Sequence, residues 1–255
     1  MRVRFRYAKL GKVRFTSQRD VARMWERALR RAALPIAYSN GFSPRPQLSF
    51  GLALPTTCES LAEYVDVAFD EDRIGPGGLE ASTLPSGLSD LMPEGVEVVA
   101  AAPVERGPSS LQEQVSSCEW EIRLRGAGAA DVEEMVGAFL GAGVVSVSRE
   151  RKGRVAADDI RPSVLALAAA EVDGEAALVA ETATHPRGIR PAELVQGIVV
   201  AAGAAGTGET ARNPVIDRAC RTKQWIERDG CRLEPLPAGD GRRAAGRAVH
   251  TVVCA

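Results

Sequence analysis

The stretch Arg2 to Lys9, RVRFRYAK, alternates apolar Val3, Phe5 and Tyr7 with Arg2, Arg4 and Arg6. A period of two places the two sets on opposite faces of an extended chain, so these residues predict a half-buried strand whose arginines lie on the open side. Past the Gly11 turn, Val13 and Phe15 keep the same parity. Ser17 then stands three residues before Asp20, the spacing of a helix-capping box. The helix it starts is expected over about residues 19–33, stopped by Pro35.

At about 100° per residue, Arg19, Arg23, Arg27, Arg30 and Arg31 fall within an arc of about 120°. Val21, Trp25, Ala28, Leu29 and Ala32 gather on the other side. The run YSNGFSPRPQ, with Asn40-Gly41 and prolines on either side of Arg45, reads as a stiff loop. QLSFGLALP and SLAEYVDVAF read as strands, residues 78–92 as an interrupted helix and VEVVAAAPV as a further strand. The order is β-α-β-β-α-β, the split unit of ferredoxin-like folds.

A similar order recurs later. CEWEIRLRG is a strand, followed by a helix that gathers Val132, Met135, Val136, Phe139 and Leu140 on one face. Strands are expected at VVSVSRER, GRVAADD, SVLALAAAEV and AALVAETA, a helix with an early Pro191 after them, and a last strand at RACRTKQWIE. The expected fold class is α+β, with two tandem ferredoxin-like units at residues 1–104 and 118–236. Residues 105–117 form a polar linker, and 237–255 a disordered tail.

With 45% hydrophobic residues and no apolar run near the roughly 18 residues of a membrane span, the chain is expected to act in water. The charged opening has no apolar signal core, which points to the cytoplasm. Five widely spaced cysteines, Cys58, Cys118, Cys220, Cys231 and Cys254, with only His185 and His250 besides, have no metal-ligand spacing. Neither a P-loop nor a dinucleotide fingerprint can be read from the glycines of GAAGTGE or GAGAADVEE. Net charge is -1, but residues 1–50 hold 12 basic and 2 acidic groups while residues 51–140 hold 4 and 17. Such segregation points either to a polyanionic partner or to internal pairing.

The block FTSQRDVARMWERALRRAALPIAYSNGFSPRPQLSFGLALP, followed by ESLAEYVDV, DIRP and the later Arg190-Pro191, resembles a radical-SAM-associated (radical-SAM-linked) bacterial domain of unknown function. That domain is found alone or as a C-terminal extension of cobalamin-binding radical SAM proteins. The resemblance implies a radical SAM protein as partner, with the iron–sulfur cluster, SAM and cobalamin on that partner and none in this chain. It also makes RNA a plausible ligand. Relatives carry Ser-His before the first helix where this chain has Ser17-Gln18, and glutamine cannot serve as a base near neutral pH.

Three readings of the arginine stripe stay open: a solvated face, a grip on RNA phosphates, and a dock for an acidic protein surface. The loop adds Phe42, Ser43 and Arg45 to the candidate RNA- or partner-binding set, with Phe42 available to stack on an unpaired base. Glu63 or Asp66 is expected to pair with an N-terminal arginine, and Asp159 with Arg161. No nucleophile stands in a catalytic setting, so no catalytic or metal residue is assigned. The leading expectation is a non-catalytic accessory protein recognising RNA. The alternatives are a protein-only adaptor and an RNA-processing enzyme, the last through a tandem ferredoxin-like layout that some RNA endonucleases share.

Overall fold

A computed structural model describes residues 1–105, 107, 109–151, 154–206, 213–228 and 230–236. The expected tail at 237–255 and residues 207–209 of the GAAGTGE run lie outside the described residues. The protein is a mixed α+β structure. Its chain divides into two units, one formed by Met1–Val115 with the segment that begins at Gln224, the other by Ser116–Lys223.

In the first unit, β1 (Arg2–Lys9) is followed by a 3-10 turn at Gly11–Phe15 and then α1 (Gln18–Arg31). The strands β2 (Leu48–Phe50) and β3 (Glu59–Ala68) come next, then α2 (Leu84–Ser89), β4 (Val96–Pro103) and the short α3 (Leu111–Gln114). β1 pairs antiparallel with β3 on one side and β4 on the other, and β2 pairs antiparallel with β3. Phe5 faces Val65 and Val3 faces Val67 across the ladder, so Val3, Phe5 and Tyr7 form one apolar face. Onto it α1 lays Val21, Trp25, Ala28 and Leu29, all buried. Burying each large side chain of this set contributes about 1.5–3 kcal/mol.

Three expectations need correction here. Arg4 and Arg6 do not lie on an open side: they are only 5% and 6% exposed, because other parts of the chain cover the second face of β1. Val13 and Phe15 do not extend the strand. Gly11 adopts a left-handed φ of 69° and gives its N–H to a Glu59 carboxylate oxygen at 2.7 Å, which breaks the ladder and leaves Phe15 exposed. β2 is only three residues long; Gly51 donates to the Tyr64 carbonyl, and beyond that point the Gln224 side chain donates to the Ala62 carbonyl.

The expected capping box is present. Ser17 Oγ accepts from the Asp20 N–H at 3.3 Å, and an Asp20 carboxylate oxygen accepts from the Ser17 N–H at 3.2 Å and from its hydroxyl at 2.6 Å. Those hydrogen bonds, the hydroxyl's first, hold the Asp20 carboxyl below the ordinary aspartate range, with Arg23 and Arg19 adding to the effect. Ser17→Ala is expected to destabilise the unit by about 1 kcal/mol. A carboxyl whose folded pKa is depressed contributes stability that is present above its unfolded value and lost as pH falls through the folded one. The gap between wild type and Ser17→Ala in urea denaturation should therefore be full at neutral pH and narrow in acid below the carboxylate range.

In the second unit, β5 (Val115–Arg125) leads into α4 (Ala129–Gly141), the hairpin of β6 (Ser146–Arg151) and β7 (Arg154–Asp159), then β8 (Val164–Val172) and β9 (Glu175–Ala183). α5 (Pro191–Ala204) and β10 (Val215–Arg228) follow, and β11 (Cys231–Leu233) is the last strand among the described residues. The sheet order of this unit is β10-β5-β9-β8, with β9 antiparallel to both β5 and β8. α4 buries Val132, Val136 and Phe139 as expected, but Leu140, at the edge of that arc, is 43% exposed. Within the segment expected as a linker, Ser110 and Glu113 form a second capping box on α3, and Leu111 is buried.

Candidate nucleic-acid interface

α1 is amphipathic enough that burying its apolar side fixes where its arginines point. With Trp25 and Leu29 fully buried, the opposite side must face solvent, and Arg19, Arg23, Arg27, Arg30 and Arg31 are all exposed. Arg23 lies 3.7 Å from Asp20, one turn earlier, in a pair that is half exposed on both sides. Such a pair is worth little and leaves the guanidinium largely available. Among the described residues the other four make no ion pair. Arg30 and Arg31 stand in the last turn of the helix, where the backbone dipole favours positive charge. The helix ends with Ala33 at a φ of 52°, a left-handed terminus more often taken by glycine.

The loop after α1 is built as a closed ring. The Ser39 N–H donates to the Arg45 carbonyl at 2.8 Å, and the Arg45 N–H returns to Ser39 Oγ at 3.1 Å. Tyr38 bridges Pro46, and the Gln47 side chain donates to the Tyr38 carbonyl at 2.9 Å. Ser43, Arg45 and Phe42 stand outward from this frame, and Phe42 is fully exposed. The ring is left wholly in water on a loop that is pinned at its base. Among the described residues no hydrogen bond or ion pair joins this loop to the arginine stripe.

The acids of β3 are engaged within the unit. Asp66 takes a fork of two hydrogen bonds from Arg4, at 2.7 Å from Nε and 3.0 Å from Nη2, which is the pairing expected of Glu63 or Asp66. Glu63 is buried opposite Tyr7. In the second unit Asp159 accepts from the Arg161 backbone N–H at 3.0 Å and from Val145 at 2.9 Å, so its partner is the main chain and not the guanidinium. Arg161 instead reaches the carbonyls of Leu140 and Val164, with its guanidinium over the Phe139 ring. Sequence reasoning missed Lys9, which is buried and donates to the Thr16 carbonyl at 2.9 Å, and Glu59, 3.6 Å from Arg14. The alternation of β3 held a signal for Glu59; nothing local marked Lys9.

Among the described residues no group of three or more His, Cys, Asp or Glu could hold a metal ion, and no helix is long and apolar enough to cross a membrane.

An α+β protein with an exposed arginine face on its first helix is the class these observations define. More particularly, residues 2–191 match the model of the family described as an uncharacterized protein conserved in bacteria (DUF2344), and the chain belongs to that family. No curated protein matches it. Among solved structures, a chain from the crystal structure of a Cbf5-Nop10-Gar1 complex is similar at 13% identity with a TM-score of 0.43. The alignment covers 86% of this chain and 49% of that one, so this chain spans about half the length of its counterpart.

Proposed function

We propose that this chain is a non-catalytic accessory protein of a radical SAM enzyme that recognises RNA, gripping phosphates with Arg19, Arg23, Arg27, Arg30 and Arg31. The observation that carries the RNA reading is the row of five exposed guanidiniums on one rigid helix, four of them outside any ion pair among the described residues. Guanidinium forks match phosphate oxygens, and several on one helix can follow a backbone. Phe42 on its pinned loop supplies a ring for a base, with Ser43 and Arg45 beside it. The radical SAM partner rests on the resemblance of the N-terminal block, and the iron–sulfur cluster, SAM and cobalamin belong to that partner. The strand order β4-β1-β3-β2 of the first unit and β10-β5-β9-β8 of the second support a ferredoxin-like reading of each.

The test is a fluorescence titration of the intact chain with a labelled single-stranded RNA over a range of salt concentrations. Affinity should fall steeply with salt, and the double substitution Arg23→Glu with Arg27→Glu should weaken binding by about tenfold or more. It should also flatten the log–log salt dependence by roughly 1.4, two contacts at about 0.7 each for single strands. Binding that ignores both salt and the substitutions would refute the helix grip. If RNA binding is unaffected while co-purification with the radical SAM protein is lost, the stripe is a protein dock.

A further inference from the structure

α1 covers one face of the first unit's sheet. The other carries Arg4 and Arg6 on β1 and, directly opposite them in register, Asp66 and Tyr64 on β3. The Arg6 guanidinium lies over the Tyr64 ring, 6.0 Å from its centre. Over the two arginines passes a segment from late in the chain. After β11 pairs with the last residues of β10, the segment Glu234–Leu236 passes over β1. A Glu234 carboxylate oxygen accepts from Arg6 Nη1 at 2.9 Å, the Leu236 carbonyl accepts from the same nitrogen at 3.3 Å, and the Pro235 carbonyl from Arg4 Nη1 at 3.5 Å. Two residues before Glu234, Arg232 lies 4.2 Å over the ring of Trp225.

Three properties of this strap stand out physically. Of its contacts with β1 among the described residues, the shortest is an ion pair, and the two carbonyl contacts are long for hydrogen bonds, beyond the ordinary upper limit of about 3.2 Å. Its Glu234 side chain keeps 18% of its surface in water, against 7% for the arginine it meets. The oxygens it presents, one anionic and two neutral along an extended backbone, occupy positions that phosphate oxygens can also take on a guanidinium. Arg6 lies over the Tyr64 ring, and Arg232, two residues before the strap, lies over the Trp225 ring; an arginine on an aromatic face is the combination that holds stacked bases in single-stranded nucleic acid sites.

We propose that this face is a second single-stranded RNA surface, closed in the present structure by Glu234–Leu236 as an internal stand-in for the RNA backbone. The choice of ligand class rests on the RNA reading given above, but the site is separate, since α1 packs on the opposite face of the same strands. Displacement of the strap by RNA breaks the Arg6–Glu234 pair, returns the carboxylate to water and gives Arg6 a phosphate in its place. Asp66 remains on Arg4 throughout.

Weakening the strap without touching the surface beneath it provides the test. A fluorescein-labelled twelve-residue oligouridylate is titrated into the full chain, its Glu234→Gln variant and its Glu234→Ala variant, and the complexes are photo-crosslinked and mapped by mass spectrometry. Both variants are expected to bind several-fold more tightly than wild type, with new adducts on peptides containing Tyr64 or Trp225. Equal or weaker binding by the variants, or adducts confined to α1 and residues 40–46, would overturn the proposal. Combining Glu234→Gln with Arg23→Glu and Arg27→Glu separates the two readings. If the gain survives and the charge reversals have no effect, the helix grip is wrong and the sheet face stands. If the reversals abolish binding in wild type and Glu234→Gln brings no gain, the sheet face is wrong and the helix stands. Absence of binding by every form refutes both.

Discussion

Asp66→Ala is expected to destabilise the first unit by about 3–5 kcal/mol, among the largest losses any single substitution in this chain should give. The reason is the partner left behind. Arg4 and Asp66 face each other across the β1–β3 ladder with 6% of either side chain exposed, and the carboxylate takes two of the guanidinium's donors. Removing it strands a charge where water cannot reach, which is far more costly than the net worth of the pair. Replacing both partners with apolar groups of similar volume, Arg4→Met with Asp66→Leu, should recover most of the loss. Urea denaturation at neutral pH measures all three proteins. A double variant as unstable as the single one would mean that packing, not the unpaired charge, sets the cost.

Trp25→Ala should be comparably damaging, at about 3–5 kcal/mol, through the cavity it leaves. The indole is fully buried between β1 and α1, its ring centre 5.4 Å from that of Phe5 and 5.3 Å from that of Tyr7. Edge-on and tilted contacts of this kind add to the burial itself. Trp25 nevertheless has an unmet need: its Nε1–H is buried with no acceptor among the described residues. Trp25→Phe should therefore lose much less than the alanine variant, because it keeps the aromatic contacts and removes a donor that is desolvated without compensation. The same denaturation experiment, followed by circular dichroism so that the signal does not depend on the indole, ranks the two. Equal losses would show that volume alone governs the site.

How far the sequence revealed this molecule depends on the range of each interaction. The capping box of Ser17 and Asp20, the apolar stripe of α1 and the odd-numbered face of β1 are local patterns, and they were readable because the partners lie within a turn or a strand of each other. The fate of Arg4 and Arg6 was not. Alternation tells which residues share a face, but it cannot tell whether a later segment covers that face, and Glu234 lies 228 residues from Arg6. The opposite-charge pattern of β1 and β3 did suggest a pair between them. It did not suggest that the pair would be buried. Gly11 misled for a different reason: a positive φ and a bond to a distant carboxylate turned an apparent strand extension into a 3-10 turn. For the candidate interface, the exposure of the arginines followed from the helix wheel, whereas the hydrogen-bonded frame of Ser39 and Arg45 depends on backbone conformation that residue types alone leave open.

The first unit is discontinuous: it needs both Met1–Val115 and residues from Gln224 onward. A ribosome adding about 5–20 residues per second must therefore synthesise the whole intervening unit before Gln224 can reach Ala62 and Glu234 can reach Arg6. During that interval of several seconds or more, Arg6 awaits its carboxylate partner on a nascent chain that has already made α1. Truncated products from interrupted translation would thus leave this guanidinium without the acid that the finished protein supplies.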